Sequence, residues 1–352
     1  MKTKKKIAII GAGIFGCTLA IILSRNFNVT IFEKKNTILE GASKFNQLRF
    51  HNGYHYPRSQ ITVDEIKKSN KLFIKEYGKN IFGKTKNFYS ISKNKSKTSS
   101  KKYEKFLKKN KLYYSVVKSF IENKYIEKVI KCNEKILNFF KFKKIILDKI
   151  KKSSLEIKFK KQFLKEYLSK YDKVIVSTYS NNNVVLNKLG IKSIEKYEYQ
   201  LVEKILVELP KKYKDKSYIV IDGKFTCVDP YLGTKYHLFS DAKLSKIETK
   251  ISKFPIFKNK NKKNLNKGLI KNIKNSIYKK AIKRCSNYLP FLNEAKYIGS
   301  LYVVRVIGLN KRKTDERTTQ VHNHSKKIIS IFSGKWNNCV YLAKNIDKNI
   351  SK

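Results

Sequence analysis

The stretch Ile7-Ala8-Ile9-Ile10-Gly11-Ala12-Gly13-Ile14-Phe15-Gly16 decides how the chain is read. Four apolar residues run into a glycine, and the spacing from Ile14 to Leu23 is helical, so the segment reads as strand, turn and helix. The first glycine permits a tight turn, the second lets a pyrophosphate approach the backbone, and the third allows close packing of helix on strand. The helix start at Ile14 and Phe15 then offers an anion site. A second strand is expected over Asn28 to Phe32. Glu33 at its end, with Lys34 beside it, stands where a carboxylate accepts hydrogen bonds from ribose hydroxyls. A dinucleotide is therefore expected. A nicotinamide domain would continue in further βα units, whereas here Glu33 leads into a loop, 41–59, rich in Gly, Asn, Ser, His, Tyr and Arg.

The densest chemistry lies in that loop. Arg49-Phe50-His51-Asn52-Gly53-Tyr54-His55-Tyr56-Pro57-Arg58-Ser59 holds two of the five histidines and two of the seven arginines. An extended backbone would put His51, Gly53 and His55 on one side and Asn52, Tyr54 and Tyr56 on the other. His51 or His55 is the candidate base for removing a substrate proton. Histidines that only satisfy buried hydrogen bonds are the plainer reading. Metal binding by the pair lacks a Cys or acidic neighbour at ligand spacing, so no metal is expected. Tyr54, Tyr56 and Arg58 are candidate substrate contacts, and His237 joins them from a later segment.

Three blocks, 11–33, 41–59 and 302–346, resemble the D-amino acid oxidase-like family of FAD-dependent oxidoreductases, which includes glycerol-3-phosphate dehydrogenases. The resemblance implies non-covalent FAD and a loop that meets the FAD phosphates and runs beneath the flavin, giving Ala42, Ser43 and Asn46 cofactor roles. Ser333-Gly334-Lys335-Trp336-Asn337 resembles the family's turn before the last helix, nearest to the Gly-Gly-Lys form of glycerol-3-phosphate dehydrogenases. A helix N-terminus there would stabilise charge on the reduced ring. Arg305 falls on the strand where such proteins often grip a substrate carboxylate. An internal ion pair is the alternative, since Arg in an apolar strand is costly unless paired. Two departures are visible: Thr178-Tyr179 replaces the usual Thr-Gly or Ala-Gly, and the final turn has a single glycine.

The expected fold is α/β. A Rossmann-like FAD-binding domain is assembled from 1–90, 140–190 and 300–352, and an α+β substrate domain on a mainly antiparallel sheet from 91–139 and 191–299. A helix is expected from about Leu269 to Tyr288. The implied activity is hydride transfer from a CH–OH or CH–NH group of a small anionic substrate to the flavin, with an electron acceptor that the sequence does not name. A non-oxidative, mutase-like flavoprotein acting on a sugar is a second reading. A polyanion-binding protein with a vestigial flavin fold is a third.

The net charge of +54 favours the third reading, but only seven of the 80 basic residues are arginines. Nucleic-acid readers favour Arg for its bidentate fork. Lys, Asn and Ile are enriched together along the chain, so the charge reads as compositional drift onto solvated faces, with no specific nucleic-acid partner. Five scattered cysteines without a CxxC pair fit a reducing compartment, taken to be the cytoplasm. Lys4-Lys5-Lys6 before an apolar run imitates a signal peptide but is interrupted by glycines and lacks a small-residue cleavage site. No segment is long and apolar enough to span a bilayer, while a surface this basic is compatible with peripheral membrane contact. Binding to duplex DNA, measured by electrophoretic shift, is therefore expected to vanish by about 200 mM salt; a shift that persists would mark the charge as functional.

Overall fold

The computed structural model describes residues 4–118, 123–192, 194–309 and 315–351. The apolar opening forms the strand Lys6–Ile10, central in a six-stranded sheet. In spatial order that sheet runs Gln320–Asn323, Ile328–Phe332, Lys173–Val176, Lys6–Ile10, Asn28–Glu33 and Glu156–Phe159. All neighbours are parallel except the first pair. Because parallel strands are covered on both faces, Ile7, Ala8 and Ile9 are wholly buried. The helix Ile14–Leu23 is buried along its whole length, as a sequence apolar on all sides but for Thr18 requires, between the sheet and the helices Phe139–Lys151 and Cys339–Ser351. The first sheet is thus Rossmann-like and drawn from distant segments, completed by residues 320–351.

A nine-stranded, mainly antiparallel sheet forms the second layer. The long strand Tyr197–Glu208 pairs with the equally long Lys296–Ile307 on one side and with Lys246–Ser252 and then Tyr236–Asp241 on the other. Two strands expected in the cofactor domain lie here instead. Lys86–Ser92 pairs with Ile126–Cys132 and Lys216–Ile221, and Lys296–Ile307 carries Arg305 into the second sheet. Apolar patterning marks a strand but not the sheet that receives it.

The helix expected from Leu269 is shorter, Tyr278–Cys285. Residues before it are drawn to the sheet, where Ile270 N–H donates to Ser300 O and Ser300 N–H to Ile270 O. That ladder replaces the helical hydrogen bonds.

The join between first strand and first helix tolerates no extra atom. A Cβ on Gly16 would lie 1.9 Å from Gly11 O. Gly16→Ala is expected to destabilise the fold by about 1–3 kcal/mol in urea denaturation. Gly41→Ala, where a Cβ meets nothing within 4 Å, should stay within about 0.5 kcal/mol of wild type.

Candidate active site

At the opening turn, Gly11 takes φ of +102°, and a Cβ there would sit 2.8 Å from Ser177 O. Glu33 closes the turn: its Oε2 accepts from Ala12 N–H at 2.8 Å and its Oε1 from Lys35 N–H at 2.8 Å. Ser43 Oγ accepts from Ile14 N–H at 3.1 Å, so the loop after the second strand reaches the helix start. Asn46 shapes that loop, donating to Ala42 O and Ser43 O and accepting from Leu48 N–H at 2.7 Å. Ala42 packs against the core, while Lys34 is exposed to solvent.

At the far turn, Gly334 N–H donates to Thr319 Oγ1 at 3.1 Å, and a Cβ on it would strike Arg317 O at 2.0 Å. Ser333 is half-buried beside it. Asn337 donates to Asn70 Oδ1 at 2.6 Å. The Trp336 ring packs on Phe50 and Phe73, with centroids 5.7 and 5.2 Å away, so the indole is anchored in the core. Lys335 instead reaches inward, its Nζ 4.6 Å from the Tyr56 ring centre.

Residues 51–59 form turns, not the extended segment expected, because Tyr56 N–H donates to Gly53 O and Ser59 N–H to Tyr56 O. The turns gather His51, His55 and Tyr56 in one cluster, with centroids 5.4–5.7 Å apart, although alternation would have divided them. Tyr54 leaves the cluster: it is 1% exposed, donates to Tyr113 O and packs with Tyr89 and Tyr103. Burial holds both histidines well below the usual imidazole pKa, with Lys335 and Arg49 adding to it, so both are neutral near pH 7.

Beneath the histidines lies a buried charge network that sequence reading missed. Arg49 sits between Asp229 and Glu134, with its Nη1 3.5 Å from Glu134 Oε2. Gln47 donates to Asp229 Oδ2 at 3.0 Å and Ser217 to Asp229 Oδ1 at 2.7 Å. The strand Arg49–Phe50 pairs with Lys135–Ile136, and this ladder brings Glu134 beside the loop. Only the pairing reveals it.

The remaining candidates divide. Arg58 Nε donates to Asp222 Oδ2 at 2.7 Å, an ion pair in the second layer. His237 is 1% exposed, with Nε2 3.1 Å from Tyr213 O, the placement of a sheet histidine. Arg305 donates to the neutral Gln200 Oε1. Solvent reaches Arg305, yet the surrounding protein and the nearby Arg317 pull its pKa below the usual arginine value. Lys204, also missed from sequence, follows Gln200 at an even spacing on the same face of the strand and donates to Ser240 Oγ at 3.0 Å. Burial depresses its pKa as well. Among the described residues neither cation has a carboxylate within 4 Å, and no group of three or more His, Cys, Asp and Glu could hold a metal ion.

This chain suits the cofactor its turn implies. The glycines leave the phosphate turn free of side chains, and Gln47 Oε1, His55 Nδ1 and the Tyr56 hydroxyl are buried without a hydrogen-bond partner where the loop meets the second sheet. Gly11, Gly13 and Gly16 with Glu33 and Ser43 would hold the dinucleotide, and the turn 333–337 the ring end. Burial pushes Lys335 down to about 7. Between that value and the ordinary lysine range the unfolded chain holds the proton and the folded FAD-free chain does not, so stability rises with pH across this interval. Chemical denaturation of FAD-free protein from pH 7 to 10 should show this rise, and Lys335→Met should remove the part due to this residue.

Comparison with known proteins gives the same assignment. Residues 6–118 match the family model for FAD dependent oxidoreductases (DAO). An FAD-dependent monooxygenase, kojA, of Aspergillus flavus is 37% identical over 76 residues, 21% of this chain and 18% of that protein. The match thus spans under a fifth of that relative's length. L-proline dehydrogenase from P. horikoshii superposes with a TM-score of 0.72 at 15% identity, covering 99% of this chain and 94% of that one. FAD-bound L-alpha-glycerophosphate oxidase from Mycoplasma pneumoniae gives 0.70 at 13%, covering 99% and 95%. These two likenesses concern the fold. Among the described residues no helix is long and apolar enough to cross a membrane. The chain is thus similar over residues 6–118 to the FAD dependent oxidoreductase (DAO) family, and it shares its fold with these two structures along nearly its whole length.

Proposed function

We propose that the protein oxidises a CH–OH or CH–NH group of a small anionic molecule. The observation that carries this reading is the pair Lys204 and Arg305: two cations on one sheet face, with depressed pKa values and without a carboxylate partner among the described residues. Elsewhere the shielded arginines Arg49, Arg58 and Arg284 all have a carboxylate at hand. Desolvated charge is costly unless matched, so an anionic substrate is the natural counterion. A neutral imidazole in the His51, His55 and Tyr56 cluster takes the proton from the substrate oxygen or nitrogen. FAD, when bound, supplies the acceptor for the hydride, and the substrate is left with a C=O or C=N double bond. Five unpaired cysteines suit a reducing compartment, and the cytoplasm is the proposed location.

The test is anaerobic addition of amino acids, 2-hydroxy acids and sugar phosphates to FAD-loaded protein. One class is expected to bleach the flavin. Arg305→Met should raise the half-saturating concentration of that substrate by about tenfold or more, the loss of roughly one charge-assisted contact. Failure to take up FAD, or bleaching by none of the three classes, would refute the proposal.

A further inference from the structure

Two histidines share the cluster, and their surroundings differ in one decisive way. His51 Nδ1 lies 3.3 Å from Glu134 Oε1, whereas His55 Nδ1 is buried with no hydrogen-bond partner. The contact follows from the ladder: Phe50 stands opposite Lys135 and Arg49 opposite Ile136, so the next position along brings His51 to Glu134. The His51 carbonyl accepts from Asn70 Nδ2 at 2.9 Å, which anchors the backbone on the helix Gln60–Tyr77.

The Glu134 side chain is fully buried and ringed by donors. Asn52 N–H reaches Oε1 at 3.2 Å, the Tyr89 hydroxyl reaches Oε2 at 2.7 Å, and Arg49 Nη1 stands 3.5 Å from Oε2. Asn52 N–H and the Arg49 guanidinium can only donate. A carboxylate accepts all of these contacts, whereas a carboxylic acid would aim a proton at one of them. The remaining contact, to His51, is therefore met by an N–H, and that fixes the tautomer.

We infer that Glu134 is the positioning residue of this site: its carboxylate holds the His51 ring through Nδ1–H, leaving Nε2 bare as the proton acceptor, a role that His55 lacks the partner to fill. The inference rests on the oxidation proposed above and selects between its two candidate bases. The arrangement matches the carboxylate that orients the histidine of a hydrolytic triad, where the acid sets tautomer and ring angle without itself taking the proton. Around the ring stand Arg49 and Lys335, both positive when protonated, together with His55, Tyr56 and Glu134, so among the described residues the carboxylate is the one negative group in contact with it. Burial and the two cations keep His51 neutral at rest, and Glu134 compensates the charge that arises when Nε2 takes a proton.

NMR of FAD-loaded protein with isotope-labelled histidine tests this directly. His51→Gln identifies the His51 signals by their loss. In the wild type the bare-nitrogen resonance should belong to Nε2 and the N–H resonance to Nδ1. In Glu134→Gln the amide oxygen satisfies Arg49 and its NH2 group turns to Nδ1, so the tautomer should invert. The reverse tautomer in the wild type overturns the inference, and so does an unchanged His51 spectrum in a folded Glu134→Gln protein. The wild-type measurement stands even if that variant fails to fold. Protein that takes up no FAD overturns the oxidoreductase reading itself, whereas protein that takes up FAD with His51 in the reverse tautomer overturns only the role of Glu134.

Discussion

A buried guanidinium ties the loop that follows the second strand to the second sheet. Arg49, 3% exposed, holds Asp229 of the second sheet on one side and Glu134 on the other. Removing one partner from such a group costs on the order of 3–5 kcal/mol, because the charge left behind has no solvent. The position of the loop 47–58 depends on this interaction. Gln47 adds a second tie to Asp229, and the short ladder of Arg49–Phe50 with Lys135–Ile136 fixes the direction in which the chain leaves. The histidines stand at the end of that tether, so their geometry follows from an ion pair and not from the turn residues alone.

The charge pattern around the tether is divided. Below the histidines, positive and negative groups are matched and buried. Lys204, Arg305 and Lys335, by contrast, have depressed pKa values and, among the described residues, no ion pair with a carboxylate. Lys335 and Arg49 act on the histidines as well, disfavouring imidazolium and keeping both rings neutral.

The first βαβ unit was legible because its requirements are local: an apolar strand, glycines at fixed spacing and an acidic residue after the next strand all fall within Ile7 to Glu33. The loop was legible by density, with histidines, tyrosines and arginines crowded into 49–59. What could not be read is what pairing creates. Glu134 is one acid in a Lys-rich stretch, and Lys204 one lysine among many, until a ladder or a strand face brings each to the site. The cluster was found while its face was misjudged, since alternation holds only for extended backbone and 51–59 turns. Arg305 was placed in the right strand but the wrong sheet, because apolar patterning is the same for either.

The order of strands in the first sheet has a further consequence for how the chain acquires its shape. Ile9 pairs with Ile31 within one βαβ unit, but its other neighbour is Ile175, which in turn pairs with Ile329. As the chain is synthesised, the opening strand is therefore flanked on one side almost at once and on the other only when Lys173–Val176 emerges, and that strand in turn waits for Ile328–Phe332 until after the second sheet has been made. For that interval a hydrophobic strand edge stands open, the condition in which nascent chains pair wrongly or recruit chaperones. Such long-range parallel pairing is slow to form, since loop closure must precede the contacts that reward it. The dinucleotide turn is thus among the first structures this chain can build, and the sheet that supports it is among the last.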